Sequence, residues 1–510
     1  MFGYVLSGGV NGIDSYTVRV EADVSEGMPV FELVGYLGVE VREAKERVRT
    51  AIRNSGYQFP IKHVTINLAP ADIRKSKTGY DLAMAISLLL AVGRIKTEKT
   101  EKCLFIGELT LNGEIKGVEG ILPVILNAEK EGMKRCIIPC ENIPEVPMSS
   151  GTKIIAVSTL KETVGYLNGD IEIAPLKKRE VGIVYEKNEN DFRYVNGQKI
   201  IRRGIEVAVC GMHNVLMVGP PGAGKTMIAK CIPTVMPKLN REESLEVSKI
   251  YSVAGKLAPG RGLITERPFV APHHTITDIG MIGGGSRLRP GAVSFAHRGV
   301  LFLDEFPEFA RAPLEALRQP LEDGEVCIER NNGSCIYPSV FMLVAAMNPC
   351  PCGMYPDRRR CNCSPASIKR YMSRLSRPLL DRIDICLNVN KPDFDEMFAE
   401  EENESSEDIR ERVERVRYRQ RKRYGDRGIL FNSEMSPEDI KNYCSLGDKE
   451  EEFLKSSLKN MDVSARSCHK ILRVARTVAD MSDSEDITVR ALTEAIHLNR
   501  MYDGSAKADI

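Results

Sequence analysis

Apolar and polar positions alternate along this chain with two different periods. Residues 16–24 and 30–34 read as strands, joined by a turn at Gly27-Met28-Pro29. Residues 39–54 repeat with a helical period and turn their charges outward. Residues 63–68 alternate as a half-buried strand does, and 81–92 form an almost wholly apolar helix. Strands and helices keep alternating through Ile138, which predicts a mixed α/β unit over residues 1–170. Clustered charge over 171–195 predicts a linker. A helix is expected over 198–209 and short apolar strands over 214–218, 299–303 and 341–347. Residues 326–330 and 334–337 read as a hairpin around Asn331-Asn332-Gly333. The remainder is helical: an arginine-dense helix over 409–424, then helices over 436–502 with Ile471, Leu472, Val474, Ala475 and Val478 on one side. Residues 400–408 are acidic and read as an exposed connector before the first of these.

The strand expected at 214–218 runs into Gly219-Pro220-Pro221-Gly222-Ala223-Gly224-Lys225-Thr226 and then into a helix expected over 227–235. Strand, glycine-rich loop and helix are the context in which this spacing cradles phosphate. Glycines let the loop turn its N–H groups toward one centre, and the helix adds its positive end. Lys225 is placed to reach the outer phosphates of ATP and Thr226 to ligate Mg²⁺. The strand expected at 299–303 ends in Asp304-Glu305. Ligands sit at the carboxyl ends of such strands. There Asp304 can hold Mg²⁺ and Glu305 can orient and activate a water.

Composition narrows the setting. The chain has 510 residues, 43% hydrophobic and 28% charged, and a formal net charge of +1. That size accommodates several domains, and a balanced charge means that any basic surface is local. The longest apolar run, 82–92, is too short to span a bilayer, and the N-terminus lacks a signal-type core, so no membrane partner and a cytoplasmic location are expected. Fourteen cysteines would then stay reduced. Cys350, Cys352, Cys361 and Cys363 form C-x-C…C-x-C around Arg358-Arg359-Arg360. Four thiolates suit a structural, closed Zn²⁺ site; free thiols are the alternative.

Two stretches, GELTLNGEIKGVEGILPVILNAEKEG (107–132) and IIPCEN (137–142), resemble the proteolytic domain of Lon proteases, which has a ribosomal-protein-S5-like fold. Such a peptidase needs a serine and an activating lysine. The positions where they would be expected carry Tyr80-Asp81 and residues 121–124, Ile-Leu-Pro-Val. A scaffold or regulatory role is therefore expected of this unit.

Residues 195–198 (VNGQ), 219–226, 267–275 (RPFVAPHHT), 283–309, 345–353 (AAMNPCPCG) and 374–385 (RLSRPLLDRIDI) resemble the magnesium-chelatase-like branch of the AAA+ ATPases. With the Lon-like unit in front, the match narrows to the ComM/YifB family. The resemblance implies an α/β multidomain chain: a Lon-like domain over 1–170, a linker over 171–195, an AAA+ core with a parallel sheet over 196–395 and a C-terminal helical lid over 396–510. It assigns Asn348 to sensor 1, Arg382 to the arginine finger (with Arg374 and Arg377 as runners-up) and Arg466 to sensor 2 in the lid. Residues 269–285, with His273-His274, match an insertion in the second AAA+ helix, where a loop role is preferred over metal binding. The hairpin matches one that projects into a central pore. Fingers supplied between subunits imply a head-to-tail ring, expected as a homo-hexamer. The implied activity is an ATP-driven DNA helicase that promotes branch migration during recombination or natural transformation. Its partner would be single-stranded or branched DNA, with Arg287, Arg289 and Arg330 as candidate phosphate contacts. Arg330 has an alternative partner in Glu329 or Glu325. The helix at 409–424 is either a solvated face or a DNA-facing one. The rival activity is a motor that drives Mg²⁺ insertion into a porphyrin.

Overall fold

The computed structural model describes residues 1–75, 79–147, 151–176, 190–257, 262–285, 287–330, 333–391, 403–425, 427–459 and 465–499. Most of the predicted linker, the start of the acidic connector, the tip Asn331-Asn332 and residues 500–510 lie outside these. The fold is mixed α/β, with two sheets and a helical C-terminal region.

The first sheet holds β1 (Phe2–Asn11), β2 (Asp14–Ser25), β3 (Phe31–Val34), β4 (His63–Ala69), β5 (Cys103–Phe105), β8 (Arg135–Pro139) and β9 (Lys153–Val157), in the order β3-β4-β2-β1-β5-β8-β9. A small hairpin, β6 (Glu108–Leu109) with β7 (Ile115–Lys116), stands beside it. Four helices accompany the sheet: α1 (Val39–Asn54), α2 (Asp81–Ala91), α3 (Ile121–Lys130) and α4 (Leu160–Asn168). Three of the expected elements, at 39–54, 63–68 and 81–92, form within one residue of their limits. The turn after residue 25 does not join a hairpin, because β4 lies between β2 and β3 and pairs antiparallel with one and parallel with the other. β1, not foreseen, pairs along its whole length with β2. Its glycines let helices approach both faces: a Cβ at Gly3 would lie 2.8 Å from Ala91 N of α2, and one at Gly8 would lie 2.3 Å from Val124 Cγ1 of α3.

Where a peptidase nucleophile would be expected, Tyr80 and Asp81 are both buried. Burial pushes the Asp81 carboxyl up to about 7, against the opposing pull of Arg47, whose Nε lies 2.9 Å away. Neither side chain presents a nucleophile to solvent.

The second sheet holds β10 (Val215–Val218), β11 (Phe269–Val270), β14 (Val300–Leu303), β17 (Met342–Met347) and β18 (Ile385–Asn388), in the order β11-β14-β17-β10-β18. Every pairing is parallel. β10 is an inner strand, flanked by β17 and β18, and apolar at each position because its residues feed two cores alternately. Val215 and Met217 join the cluster containing the C-terminal helices, and Leu216 and Val218 join the one containing Phe306 and Leu314. Around the sheet lie α5 (Lys199–Gly211), α6 (Lys225–Val235), α7 (Arg241–Val253), α8 (Asp278–Ile282), α9 (Ala292–Phe295), α10 (Arg311–Ala316), α11 (Arg318–Asp323), α12 (Pro365–Met372) and α13 (Arg377–Leu380). The insertion carries α8 and a short hairpin, β12 (Gly283–Gly284) with β13 (Arg289–Pro290). The second predicted hairpin forms as β15 (Glu325–Arg330) and β16 (Gly333–Pro338).

The C-terminal helices are α14 (Ser406–Tyr424), α15 (Pro437–Tyr443), α16 (Asp448–Leu458), α17 (Ala465–Met481) and α18 (Val489–Asn499). α14 starts three residues earlier than expected, inside the supposed connector, because Ser405 and Asp408 close a capping box. Arg415 and Arg421 lie on an exposed face with Glu411, Glu414 and Lys422, and the other arginines of α14 are paired or buried. Arg412 pairs with Glu206 and Glu404, Arg423 and Arg419 pair with Asp480 and Asp483, and Arg417 is buried over the Phe431 ring.

Candidate functional site

β10 leads into the glycine-rich loop at the carboxyl edge of the parallel sheet. Gly222 and Gly224 take φ of 75° and 85°, and Gly224 hands the chain directly into α6. A side chain at Gly219 would put its Cβ 2.1 Å from Val389 O, so β18 closes the loop from one side. Lys225 Nζ donates to Gly219 O (2.6 Å), Pro220 O (3.0 Å) and Asn348 Oδ1 (3.2 Å). Burial pulls its ammonium below the usual lysine range, with Asp304 partly opposing. Thr226 Oγ1 donates to Asp304 Oδ2 at 2.8 Å. The loop, Asp304, Glu305 and Asn348 thus converge on one edge, as the sequence predicts.

Glu305 follows with φ of 52°, and its carboxylate lies 3.3 Å from His274 Nδ1. His274 belongs to the insertion, so the histidine pair does serve a loop, but one that reaches the nucleotide edge. Gln198 also comes into the site: its Nε2 donates to Ala223 O and Asn390 O, tying α5 to the glycine-rich loop and to the end of β18. Gln198 stood within a quoted motif, yet nothing in its local pattern fixed this role.

Arg382 and Arg466 are elsewhere. Asn214 Nδ2 donates to Arg382 O, which fixes that residue at the amino edge of the sheet. Its guanidinium is nearly buried, donates to Pro378 O and pairs with Glu322. Arg466, at the start of α17, reaches the other oxygen of the same Glu322 at 3.5 Å. Four residues of β10 separate this edge from the phosphate loop, about 13 Å of strand. Arg466 therefore lies at the edge opposite its own chain's loop. The C-terminal helices pack beneath the sheet and beside β18, where Lys470 Nζ donates to Ile383 O and Asn499 Nδ2 to Asp384 O. Of the runner-up arginines, Arg374 pairs with Glu308 at 2.7 Å, just after the carboxylate pair, and Arg377 is exposed at the start of α13.

The four cysteines come together. Their sulfurs all lie within 4.8 Å of one another, with Cys350 to Cys352 at 3.4 Å, Cys352 to Cys361 at 3.6 Å and Cys350 to Cys361 at 3.7 Å. Sulfurs bound to one tetrahedral Zn²⁺ at about 2.3 Å stand roughly 3.8 Å apart, so the donor set fits this ion. The backbone N–H of Met354 and the Cys350 thiol hold the Cys352 thiol below its ordinary range. Gly353 packs on the phosphate loop: a Cβ there would lie 2.4 Å from Pro221 Cδ.

The candidate DNA contacts divide. Arg287 pairs with Glu40 at 3.6 Å and Arg289 with Glu119 at 3.2 Å, both carboxylates belonging to the N-terminal unit. Neither arginine stands free. Arg330 is exposed at the end of β15, and Glu329 and Glu325 face Ser334 and Pro338 across the hairpin.

Strand order, phosphate loop and a carboxylate pair on the neighbouring strand define a P-loop ATPase of the AAA+ class. Comparison with known proteins is more particular. Residues 191–397 match the family model of magnesium chelatase subunit ChlI, residues 403–499 that of its C-terminal region, and residues 20–142 a further model described as subunit ChlI of Mg-chelatase. The competence protein ComM of Haemophilus influenzae is 37% identical over 494 residues, covering 96% of both chains. The uncharacterized protein YifB of Escherichia coli is 38% identical over 486 residues, 95% of this chain and 94% of its own. Lon protease 2 of Bacillus subtilis is 32% identical over 120 residues, 23% of this chain and 21% of its own. The chain belongs to the ComM/YifB family of magnesium-chelatase-like AAA+ ATPases. No helix among the described residues is long and apolar enough to cross a membrane.

Proposed function

We propose that this protein is the subunit of a head-to-tail homo-hexameric ring that hydrolyses ATP to move along DNA, promoting branch migration of recombination intermediates. The observation that carries the ring is the placement of Arg382 and Arg466. Both share Glu322 at the sheet edge opposite their own phosphate loop. Arginines turned away from their own nucleotide can reach that of a neighbour, as a finger supplied between subunits requires.

The residues at the carboxyl edge fit ATP with Mg²⁺. The Thr226 hydroxyl and Asp304 carboxylate, 2.8 Å apart, are hard oxygen donors that would hold Mg²⁺. Bound there, the cation neutralises charge on the phosphates. Lys225, satisfied here by carbonyl oxygens, exchanges them for phosphate oxygens. Glu305 orients and activates the water, and Asn348 helps place it. Cys350, Cys352, Cys361 and Cys363 would hold one structural Zn²⁺ that braces the loop between Asn348 and α12. The N-terminal unit, residues 1–170, works as a scaffold and not as a peptidase.

The DNA reading is supported by the kinship with a protein named for competence and by basic residues on two projecting hairpins. The experiment compares ATP hydrolysis alone, with single-stranded or branched DNA, with a porphyrin and chelatase partner subunits, and with unfolded protein. Stimulation by DNA together with ATP-dependent strand separation supports the motor. Stimulation by porphyrin alone would replace it with the chelatase reading, which has in its favour the family models matched across the core and C-terminal region.

A further inference from the structure

The N-terminal unit touches the ATPase core in two places of different character. The first is an anchor. Gly120 N donates to Ser252 O (2.9 Å), Leu122 N approaches Ser252 Oγ (3.4 Å), and that hydroxyl donates to Glu145 Oε2 (2.5 Å). Backbone and buried groups join α3 to the end of α7 here.

The second lies on the two hairpins, β12–β13 and β15–β16. The turn between β1 and β2 reaches them directly. Ile13 packs into the core cluster that contains Cys335 and Tyr337, and a Cβ at Gly12 would lie 3.0 Å from Ile336 O. Tyr337 Oη and Cys335 Sγ both donate to Leu288 O, which ties the insertion to the β15–β16 hairpin. On either side of Leu288 stand Arg287 and Arg289, paired with Glu40 and Glu119. Arg330 continues the same edge: a Cβ at Gly284 of the insertion would lie 3.6 Å from its guanidinium. Three arginines thus follow one another, and carboxylates from the other domain cover two of them.

These two ion pairs are half-exposed. Arg287 and Glu40 have 57% and 35% of their side-chain surface accessible, and Arg289 and Glu119 have 49% and 40%. Pairs of this kind contribute little to stability and are screened by salt. As structural ties they are poor. As exchangeable ones they suit a competing anion of higher charge density, and a cleft of about 400 Å³ lined by these four side chains lies open beside them.

We propose that the N-terminal domain covers a phosphate-binding surface with its own carboxylates: Glu40 and Glu119 hold Arg287 and Arg289 until a nucleic-acid backbone displaces them. The proposal rests on the reading that the motor acts on DNA, and it names the surface that first meets the strand. The anchor at Ser252 keeps the domains joined while the acidic contacts open. The occupant is a sugar-phosphate backbone, because the arginines lie in a row on an edge, the arrangement that holds phosphates rather than one base.

The test compares the full-length wild type with Glu40→Gln/Glu119→Gln, using a labelled single strand and its duplex over a range of salt concentrations. Removing two exposed pairs should tighten binding by roughly 2- to 30-fold. It should also steepen the salt dependence. In the wild type, DNA replaces internal carboxylates; in the variant, the two arginines carry counterions that DNA releases. The slope of log affinity against log salt should become more negative by about 2. A merely structural role for the two glutamates would leave that slope alone. Arg287→Gln/Arg289→Gln in the variant background should reverse both changes, a control that needs no altered fold. Wild type and variant binding DNA equally, with equal slopes, would overturn the clamp and leave the DNA motor standing. Neither protein binding any DNA would overturn both.

Discussion

His274 Nδ1 lies 3.3 Å from a Glu305 carboxylate oxygen, and this contact joins the insertion to the chemistry of the nucleotide edge. Glu305 is held in a left-handed backbone conformation, φ 52°, with its side chain drawn toward the histidine. His274 in turn stacks near His273 and meets the edge of Phe309, beyond the carboxylate pair. Releasing Glu305 should make hydrolysis less dependent on DNA. His274→Ala is expected to raise DNA-free turnover by about two- to fivefold, the scale of one exposed ion pair. Steady-state phosphate release checks this, and an unchanged or slower basal rate would reject the link.

Lys225 and Glu305 should separate binding from chemistry. Lysine contacts ground-state phosphates, so Lys225→Ala should weaken ATP binding about tenfold or more. The carboxylate acts on water, so Glu305→Gln should bind normally and lose about a hundredfold or more in turnover. Nucleotide titration beside steady-state kinetics distinguishes the two. Near-normal turnover in Glu305→Gln would remove it from its role.

Arg382→Ala should bind ATP and hydrolyse poorly. Mixing it with Lys225→Ala protein should restore some activity, because mixed interfaces pair an intact loop with an intact arginine. The shared Glu322 adds a second expectation. Glu322→Gln frees both Arg382 and Arg466 and should shift the concentration for half-maximal activity without touching ATP affinity. No rescue in a preparation proven to contain mixed rings would argue against action between subunits.

Elemental analysis should return about one zinc per chain if four thiolates close the site. Cys361→Ser/Cys363→Ser should lose it and expose the loop between Asn348 and α12 to protease. Metal-free wild-type protein with that loop protected would count against zinc.

The Glu246 carboxyl supplies a pH test. Its hydrogen bond to His297 and the Arg298 guanidinium hold it at about 2, below the usual 4.5. The folded value lies below the unfolded one, so the fold favours the ionised form. Its contribution is complete above pH 4.5 and disappears as the pH falls toward 2. Glu246→Gln should therefore be less stable than wild type near neutrality, with the difference vanishing toward pH 2. Urea unfolding across that range measures it, and a constant difference would refute the linkage.

The elements legible in the sequence were those whose period served one face. α1 shows its buried stripe, Val41, Ala44, Val48 and Ile52, and it begins and ends where the pattern does. β10 and β14 are apolar throughout, and turn residues bound them. β1 escaped notice because glycine replaced apolar side chains where α2 and α3 close on it, so a central strand looked like a loop. At the site, consecutive residues could be read: the loop, the carboxylate pair and the paired cysteines. What could not be read were meetings across the fold. His274 reaches Glu305, Glu40 reaches Arg287, and Arg412 reaches Glu206. Each depends on how helices and sheets dock, which no local spacing records. The place of Arg466 beside Glu322 was not legible for the same reason, since the pattern of its helix fixes a buried face but not the surface that receives it.

Arg382 and Lys225 stand at opposite ends of the same parallel strands. On the proposed ring, a single chain would own two half-sites and complete neither. Its turnover per chain should depend on how much of it is present, vanishing on dilution even though nothing unfolds. One inactive copy should silence more than its own share, since it spoils the junction on each side. On that reading the sheet's polarity would set a collective property: the unit of catalysis would be the seam between two molecules.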